Sequence, residues 1–334
     1  MIHFFRFLAP IALASLTACG GGGGGTTAAT VTAPVVPVAA NIVTSIPAPS
    51  YAGATEELAA FNLLNAERSR CGFGMLAQNS QLDVAAKGHA DWLLTNNYSG
   101  HFQVTGTPLF TGVTPKDRIL AAGYSGSGTE SEYDSNGAKI GQGIVGIRRL
   151  LNAPYHLVSM MGGYRDVGIA ARDKSDLGLP NTRHVLNIDF GVQSSSTMQA
   201  GAAGSIRTYP CDGSILVERS LTNESPNPVP GRNLAASPLG TSVAVVIDVG
   251  HTLVISTATM VNAVTGAAVV IRSPITSAND PNAVPGLTYL RSNEGFISAD
   301  APLDAGIAYK VTITGSDNGV AFRQPVSFTF TTGL

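Results

Sequence analysis

Two histidines far apart in the chain are the residues best suited to chemistry. His101 lies in Gly100-His101-Phe102, and His156 ends the run Asn152-Ala153-Pro154-Tyr155-His156. Two neutral imidazoles and a carboxylate can bind Zn²⁺ or another divalent metal, with water in the fourth position. Alternatively, one histidine acts as a general base that the carboxylate orients. A third interpretation is a cleft whose histidines and carboxylate only hydrogen-bond one another.

The candidate carboxylates lie between the two histidines, in the run Gly128-Thr129-Glu130-Ser131-Glu132-Tyr133-Asp134. Either Glu130 or Glu132 is predicted to face the cleft, and we favour Glu130. The residues from Glu132 onward also match the start of a calcium-binding loop, but the twelfth position is Gly143 instead of glutamate. We therefore interpret this stretch as a solvated acidic loop.

Other groupings give weaker signals. No Gly-x-Ser-x-Gly surrounds a candidate serine nucleophile. Residues 141–146 match a dinucleotide fingerprint, but a turn instead of a strand precedes them. His89 falls on the apolar face of a predicted helix and is interpreted as a hydrogen-bonded core residue. His184 and His251 have no partner that the sequence identifies.

The elements that must position these residues are helices followed by strands. Caps and apolar spacing predict helices over 56–70, from Ser80 to near Asn97, from Thr114-Pro115 to Gly123, over 140–151, and from Pro154 to Gly162. Strands are predicted over 167–171 and 185–192, and the runs 205–209 and 214–218 are expected to complete their sheet. This pattern predicts an α+β layered domain over 54–222.

A change of pattern follows this domain. Residues 223–231 are rich in proline and asparagine and are interpreted as a linker. Seven β-rich segments come next, over 242–249, 252–260, 267–272, 287–291, 295–298, 307–314 and 326–332. Their spacing predicts an immunoglobulin-like sandwich over 223–334, and it resembles the Ig-like modules at the C-termini of exported bacterial proteins.

The N-terminus carries export signals. Residues 1–18 contain one cation and then a short apolar run, as a signal peptide does. The run Leu16-Thr17-Ala18-Cys19 resembles the lipobox of bacterial lipoproteins, in which Cys19 is acylated; the alternative is cleavage without lipid. Residues 19–53 are rich in glycine, alanine and proline and predict a flexible tether. We expect an outer-membrane or cell-surface lipoprotein, periplasmic or extracellular.

The remaining composition constrains partners and cysteines. Twenty Lys and Arg against 22 Asp and Glu give a net charge of −2, which excludes a field that gathers nucleic acid. Once Cys19 is acylated, Cys71 and Cys211 are the two cysteines left in an oxidising compartment. A disulfide between them is predicted, and two separate buried thiols are the alternative.

The order of motifs from 55 to 195 resembles the CAP superfamily of cysteine-rich secretory, antigen 5 and pathogenesis-related-1 proteins. The matching runs are Leu64-Asn65-Ala66-Glu67-Arg68, Thr114-Pro115-Lys116-Asp117-Arg118, Ala121-Ala122-Gly123-Tyr124 and the two histidine motifs. The resemblance implies an α-β-α sandwich whose cleft holds two histidines and two glutamates. Here the family's Gly-Glu-Asn is missing, and Leu150-Leu151-Asn152-Ala153 offers no acidic residue where the second glutamate should precede His156, so we expect a triad at most.

The family's sterol- and lipid-binding members imply that this cleft holds a small apolar or lipidic ligand. We therefore expect an envelope-tethered binding protein, and we favour this over an enzyme. A hydrolase that uses the same cleft is one alternative. An adhesion or scaffold protein, which binds a protein partner through the Ig-like module, is the other.

Overall fold

Local capping signals locate the helices. The computed structural model describes residues 40–334, so the predicted signal peptide and Cys19 lie outside the described residues. The α-helices within this range are α1 (Glu56–Arg70), α2 (Ser80–Asn96), α3 (Pro115–Ala121), α4 (Gln142–Leu150) and α5 (Pro154–Met160). Thr55 caps α1, Asn79 caps α2, and Thr114 forms a capping box with Asp117 at α3.

The helices pack on a four-stranded sheet. Its strands are β1 (Ala77–Gln78), β2 (Gly126–Asn136), β3 (Asp166–Asp173) and β4 (Arg183–Gln193), in the order β1-β3-β4-β2. The interpretation of residues 132–137 as a solvated acidic loop is wrong, because 126–136 form β2 and pair antiparallel with β4. Glu130 and Ser131 on this strand are buried, residues 132–135 are half-buried, and Asn136 is exposed.

A close contact between α2 and β3 fixes the helix that leads to His101. A Cβ atom at Gly168 of β3 would lie 2.1 Å from the backbone carbon of Leu82 and 2.2 Å from the backbone nitrogen of Asp83. Such distances exclude any side chain at this position. Glycine therefore lets the first turn of α2 rest directly on the sheet.

Two further sheets form the C-terminal half. Their strands are β5 (Arg207–Tyr209), β6 (Ser214–Val217), β7 (Ser242–Val246), β8 (Leu253–Asn262), β9 (Ala268–Val269), β10 (Ile275–Thr276), β11 (Glu294–Ser298), β12 (Ala308–Asp317), β13 (Val320–Ala321) and β14 (Val326–Thr332). One sheet has the order β10-β11-β7-β5, and the other has the order β6-β14-β12-β8-β9, with β13 paired to β12. This all-β part fits an immunoglobulin-like sandwich.

Two of the predicted strands pair differently from expectation, and a third is absent. β5 pairs with β7 and β6 pairs with β14, so neither completes the sheet of the first domain. Both pair with strands of the C-terminal half, so their place depends on contacts between distant residues. Residues 287–291, predicted as a strand, form only an isolated bridge at Leu287, followed by a bend at 289–290.

The strand β7 joins the two halves. Val243 and Val245 pack into the core between the two C-terminal sheets, while Ala244 and Val246 pack into the core of the first domain. All five residues of the strand are buried. Its continuous apolar sequence therefore reflects burial on both faces.

Two more features hold the first domain. Cys71 and Cys211 form the predicted disulfide, which links the end of α1 to the segment between β5 and β6. The predicted flexible tether does not hold for residues 41–51: Asn41 donates to Ala200 O, and Tyr51 Oη donates to Asp83. Within residues 40–334, no helix is long and apolar enough to cross a membrane.

Candidate functional site

The structure brings the predicted cleft residues together. His101 follows α2, Glu130 and Glu132 lie on β2, and His156 lies on α5. The ring centroids of the two histidines are 5.8 Å apart. His101 is 30% exposed at its side chain and His156 13%, whereas the Glu130 side chain has no exposure. The preference for Glu130 agrees with this geometry, since Glu130 is the carboxylate that contacts His101.

Glu130 is the centre of a buried network. His101 Nδ1 lies 3.0 Å from Glu130 Oε1, and Arg118 Nη2 donates to Glu130 Oε2 at 2.6 Å. Burial raises the pKa of Glu130, but the hydrogen bond from His101 and the charge of Arg118 outweigh burial and hold it below its usual range. Burial lowers the pKa of His101, but its hydrogen bond to Glu130 and the nearby carboxylate charges raise it overall.

A second carboxylate contacts His156, and it comes from the stretch 223–231 that was predicted to be a linker. Glu224 Oε1 lies 3.1 Å from His156 Nδ1 and accepts a hydrogen bond from the backbone nitrogen of Tyr155 at 3.2 Å. The Glu224 side chain has no exposure. The expectation of a triad at most is therefore wrong: each histidine has its own buried carboxylate. Glu224 lies 68 residues after His156, so no local motif could reveal it.

His89 is also close to these carboxylates, but neither of its ring nitrogens has a lone pair free for a metal. Thr111 N donates to Gln103 Oε1 at 2.8 Å, which orients the amide so that Gln103 Nε2 donates to His89 Nδ1 at 3.1 Å. His89 Nε2 must then carry the hydrogen, and it donates to Gly100 O at 3.2 Å. Ligand atoms of His89, Glu130 and Glu132 lie within 4.8 Å of one another, but this tautomer leaves His89 without a free lone pair.

Glu132 takes part in the same buried group without touching either cleft histidine. Its Oε1 accepts a hydrogen bond from Gly100 N at 2.8 Å, and its Oε2 lies 3.4 Å from His89 Nε2. Burial raises the pKa of Glu132, but the hydrogen bond from His89 and the charge of His101 lower it overall. Glu132 therefore fixes the loop that carries His101.

His101 and His156 have the opposite tautomer from His89. Their Nδ1 atoms face carboxylates, which only accept hydrogen bonds when ionised, so Nδ1 carries the hydrogen. Neither Nε2 atom has a hydrogen-bond partner among residues 40–334. In the neutral state each Nε2 therefore offers a lone pair to a metal or a proton. A carboxylate behind each ring is the arrangement that orients metal-ligating histidines in proteins.

Two cavities meet at this histidine pair. The first, which we name the apolar chamber, has a volume of about 530 Å³; its wall is largely aromatic and aliphatic and includes Phe102, Tyr155, Val158, Tyr164, Leu287, Tyr289 and Leu290. The second, the polar chamber, has a volume of about 800 Å³ and includes Ser99, Glu132, Asp134, Asn136, Arg149, Arg183, Asn223 and Glu224. His101 and His156 line both chambers.

The second module supplies one wall of the apolar chamber. Tyr155 Oη on α5 donates to Asp280 Oδ1 at 2.6 Å and accepts from Asn282 Nδ2 at 2.9 Å. Its ring also packs against Tyr289 and Phe296, with centroids 5.4 and 5.5 Å away. These contacts hold the segment 287–291 against the helix that carries His156.

The two histidines that the sequence left without partners lie away from the cleft. His184 Nδ1 lies 3.3 Å from Gly137 O, and burial lowers its pKa. His251 Nδ1 lies 2.5 Å from Asp317 Oδ1 on the C-terminal module. Both sites are hydrogen-bonded pairs that local sequence does not indicate, because their partners come from distant strands or loops.

The family comparison agrees with this geometry. The model of the cysteine-rich secretory protein family, CAP, matches residues 61–181. The chain contains a CAP domain. The matched region includes His101, Glu130 and His156 but ends before Glu224. The second carboxylate of this CAP domain's cleft therefore comes from outside the residues that the family model describes.

Two solved structures are similar to part of the chain. An extracellular protein containing an SCP domain from Bacillus anthracis str. Ames is 22% identical, with a TM-score of 0.32, and the match covers 41% of this chain and 40% of that protein. An outer surface protein from Borrelia burgdorferi is 19% identical, with a TM-score of 0.33, and the match covers 42% of this chain and 93% of that protein. No curated protein matches the chain.

Proposed function

We propose that this CAP protein is an exported binding protein for a small amphiphilic ligand. The observation that carries the proposal is the apolar chamber of about 530 Å³ that opens beside His101 and His156. Its volume lies within the range of roughly 300–1,000 Å³ that small-molecule sites occupy. An apolar part of the ligand fits this chamber, and a polar end fits the hydrogen-bonding groups of the polar chamber.

The neutral fluorescent probe N-phenyl-1-naphthylamine tests the apolar chamber. Ser159 lies on α5 in the wall of this chamber, so Ser159→Phe fills part of the space. Ser135 lines only the polar chamber, and Ser135→Phe is the matched control. We expect the wild-type protein to bind the probe, Ser159→Phe to weaken binding at least about tenfold by overpacking the chamber, and Ser135→Phe to retain it. Absence of binding by the wild type, or equal losses in both variants, would refute the proposal.

Export and anchoring form part of the same proposal. The support is the signal-peptide pattern, the lipobox-like run ending at Cys19, and the Cys71–Cys211 disulfide, which suits an oxidising compartment. Metabolic labelling with palmitate is expected to mark the wild-type protein but not Cys19→Ser. Equal labelling of both proteins would contradict the lipid anchor.

A hydrolase is the second candidate function, favoured by the two histidine–carboxylate pairs. The Nε2 lone pair of either histidine can accept a proton from water, and together the two can bind Zn²⁺, which would supply a water of lowered pKa. Glu130 and Glu224 each lie at the Nδ1 atom of one histidine, so the pair offers its two Nε2 atoms as ligands.

Zn²⁺ titration and ester or peptide turnover test this candidate. His101→Ala and His156→Ala are expected to abolish both the heat of Zn²⁺ binding and the turnover. His184→Gln is the matched control, because His184 Nδ1 lies 3.3 Å from Gly137 O and His184 belongs to neither cluster of metal-ligating side chains within residues 40–334. Heats and rates that His101→Ala and His156→Ala leave unchanged would exclude the cleft as a metal or hydrolytic site.

A further inference from the structure

The loop between α2 and α3 forms part of the edge of the apolar chamber. We name residues 98–113 the rim loop. It contains no Asp, Glu, Lys or Arg in the run Tyr98-Ser99-Gly100-His101-Phe102-Gln103-Val104-Thr105-Gly106-Thr107-Pro108-Leu109-Phe110-Thr111-Gly112-Val113. Gly100, His101 and Phe102 of this loop line the chamber directly. The rim loop is therefore an uncharged segment at the mouth of the proposed ligand site.

The inner side of the rim loop is held by hydrogen bonds. Gln103 is buried and bonds to His89 and Thr111, and its backbone nitrogen donates to Val113 O at 3.0 Å. Trp92 Nε1 donates to Thr107 Oγ1 at 2.7 Å. The loop is consequently fixed before it meets any partner, so docking requires little loss of conformational entropy.

The outer side of the rim loop is apolar. Gln103 is buried, whereas its neighbours Phe102 and Val104 are 66% and 45% exposed. Leu109 and Val113 are 51% and 42% exposed. Four exposed apolar side chains in one uncharged loop suit an interaction site.

We propose that the rim loop docks on a lipid bilayer and exchanges the ligand of the apolar chamber with it. The inference rests on the proposed function, because an amphiphilic ligand partitions into a lipid bilayer and the protein must collect it there. A charged side chain in the hydrocarbon region is costly, and this loop has none. Phe, Val and Leu gain free energy when they leave water for the boundary between headgroups and acyl chains.

Site-specific tryptophan fluorescence tests the docking. Trp92 is the single tryptophan and is fully buried, so an introduced tryptophan reports its own surroundings. We compare Val104→Trp, at a side chain that is 45% exposed and lines neither chamber, with Val264→Trp, a control on the second module at a side chain that is 85% exposed. Both variants carry Cys19→Ser, so no acyl chain contributes. Vesicles of phosphatidylcholine with brominated acyl chains are expected to shift the Val104→Trp emission to the blue and to quench it, and to leave Val264→Trp unchanged.

A second variant measures the effect on affinity. Leu109 has a φ of +59°, which aspartate tolerates better than most residues, so Leu109→Asp adds a charge with little backbone strain. We expect Leu109→Asp to reduce co-sedimentation with phosphatidylcholine vesicles at least about tenfold, the effect of a charge at the interface, while binding of N-phenyl-1-naphthylamine persists. Persistent probe binding shows that the variant is folded.

The outcomes separate this inference from the proposed function. Probe binding by the wild type, together with identical vesicle responses of Val104→Trp and Val264→Trp, overturns membrane docking alone. No probe binding by the wild type overturns the proposed function. A blue shift of Val104→Trp that needs no vesicles and grows with protein concentration shows self-association through the rim loop, and it also overturns membrane docking.

Discussion

Removing the charge of Glu130 is expected to destabilise the whole protein. Glu130 and Arg118 form an ion pair whose side chains are 0% and 1% exposed. Glu130 also accepts hydrogen bonds from His101 Nδ1 and from Asn187 Nδ2, the latter at 3.3 Å. In Glu130→Gln, one oxygen is replaced by an NH₂ group that faces a donor, and Arg118 stays buried without its counter-ion. Breaking a buried ion pair in this way costs about 3–5 kcal/mol.

A double-mutant cycle separates this coupling from general damage. Glu130→Gln and Arg118→Met are each expected to lower the free energy of unfolding by about 3–5 kcal/mol, and the double variant by about 3 kcal/mol less than the sum. Urea unfolding measures the free energies, and a fall in Tm of about 6 °C or more should accompany each single change. Arg272→Met is the control, because Arg272 forms an ion pair with Asp300 that is 39% exposed on both sides and is worth about 1 kcal/mol at most. Additive effects of Glu130→Gln and Arg118→Met would refute the reasoning.

Other contacts give three further predictions. Replacing both Cys71 and Cys211 by serine should lower the free energy of unfolding by up to about 4–5 kcal/mol, since the disulfide closes a loop with a separation of 140 residues. Thermal unfolding that gives the same Tm for this variant and the wild type would contradict the prediction. Arg68→Met should cost about 4 kcal/mol or more in urea unfolding, because Arg68 is fully buried and donates to four backbone carbonyls; a loss below about 1 kcal/mol would argue against that role. The pKa of His101 is raised, so its contribution to stability is complete below pH of about 6.5 and is lost as pH rises through the folded pKa. The free energies of unfolding of wild type and His101→Gln, measured from pH of about 5 to about 9, should therefore converge at high pH. Parallel curves would contradict this prediction.

Most of the first domain follows from short-range signals. Caps, apolar spacing and proline positions lie within a few residues of each helix, so α1 to α5 agree with the predicted ranges. The histidines and Glu130 were likewise found because their motifs are local. The disulfide followed from the number of available cysteines and the expected oxidising compartment.

The parts that sequence reasoning missed depend on contacts between distant residues. Glu224 lies in a proline-rich stretch whose composition indicates a linker, and only the fold brings it to His156. The pairing of β5 with β7 and β6 with β14 depends on which strand edges remain free, which no single segment encodes. The polar residues of β2 suggested a loop because their burial depends on Arg118 and His89.

Glu224 and the segment 287–291 lie beyond residues 61–181, which the family model matches, while both histidines lie within them. Exchange of the C-terminal module by recombination would therefore rebuild one wall of each chamber in one event and leave the histidine pair intact. A CAP domain produced without residues 223–334 would present His156 with neither its carboxylate nor the second wall of its chamber.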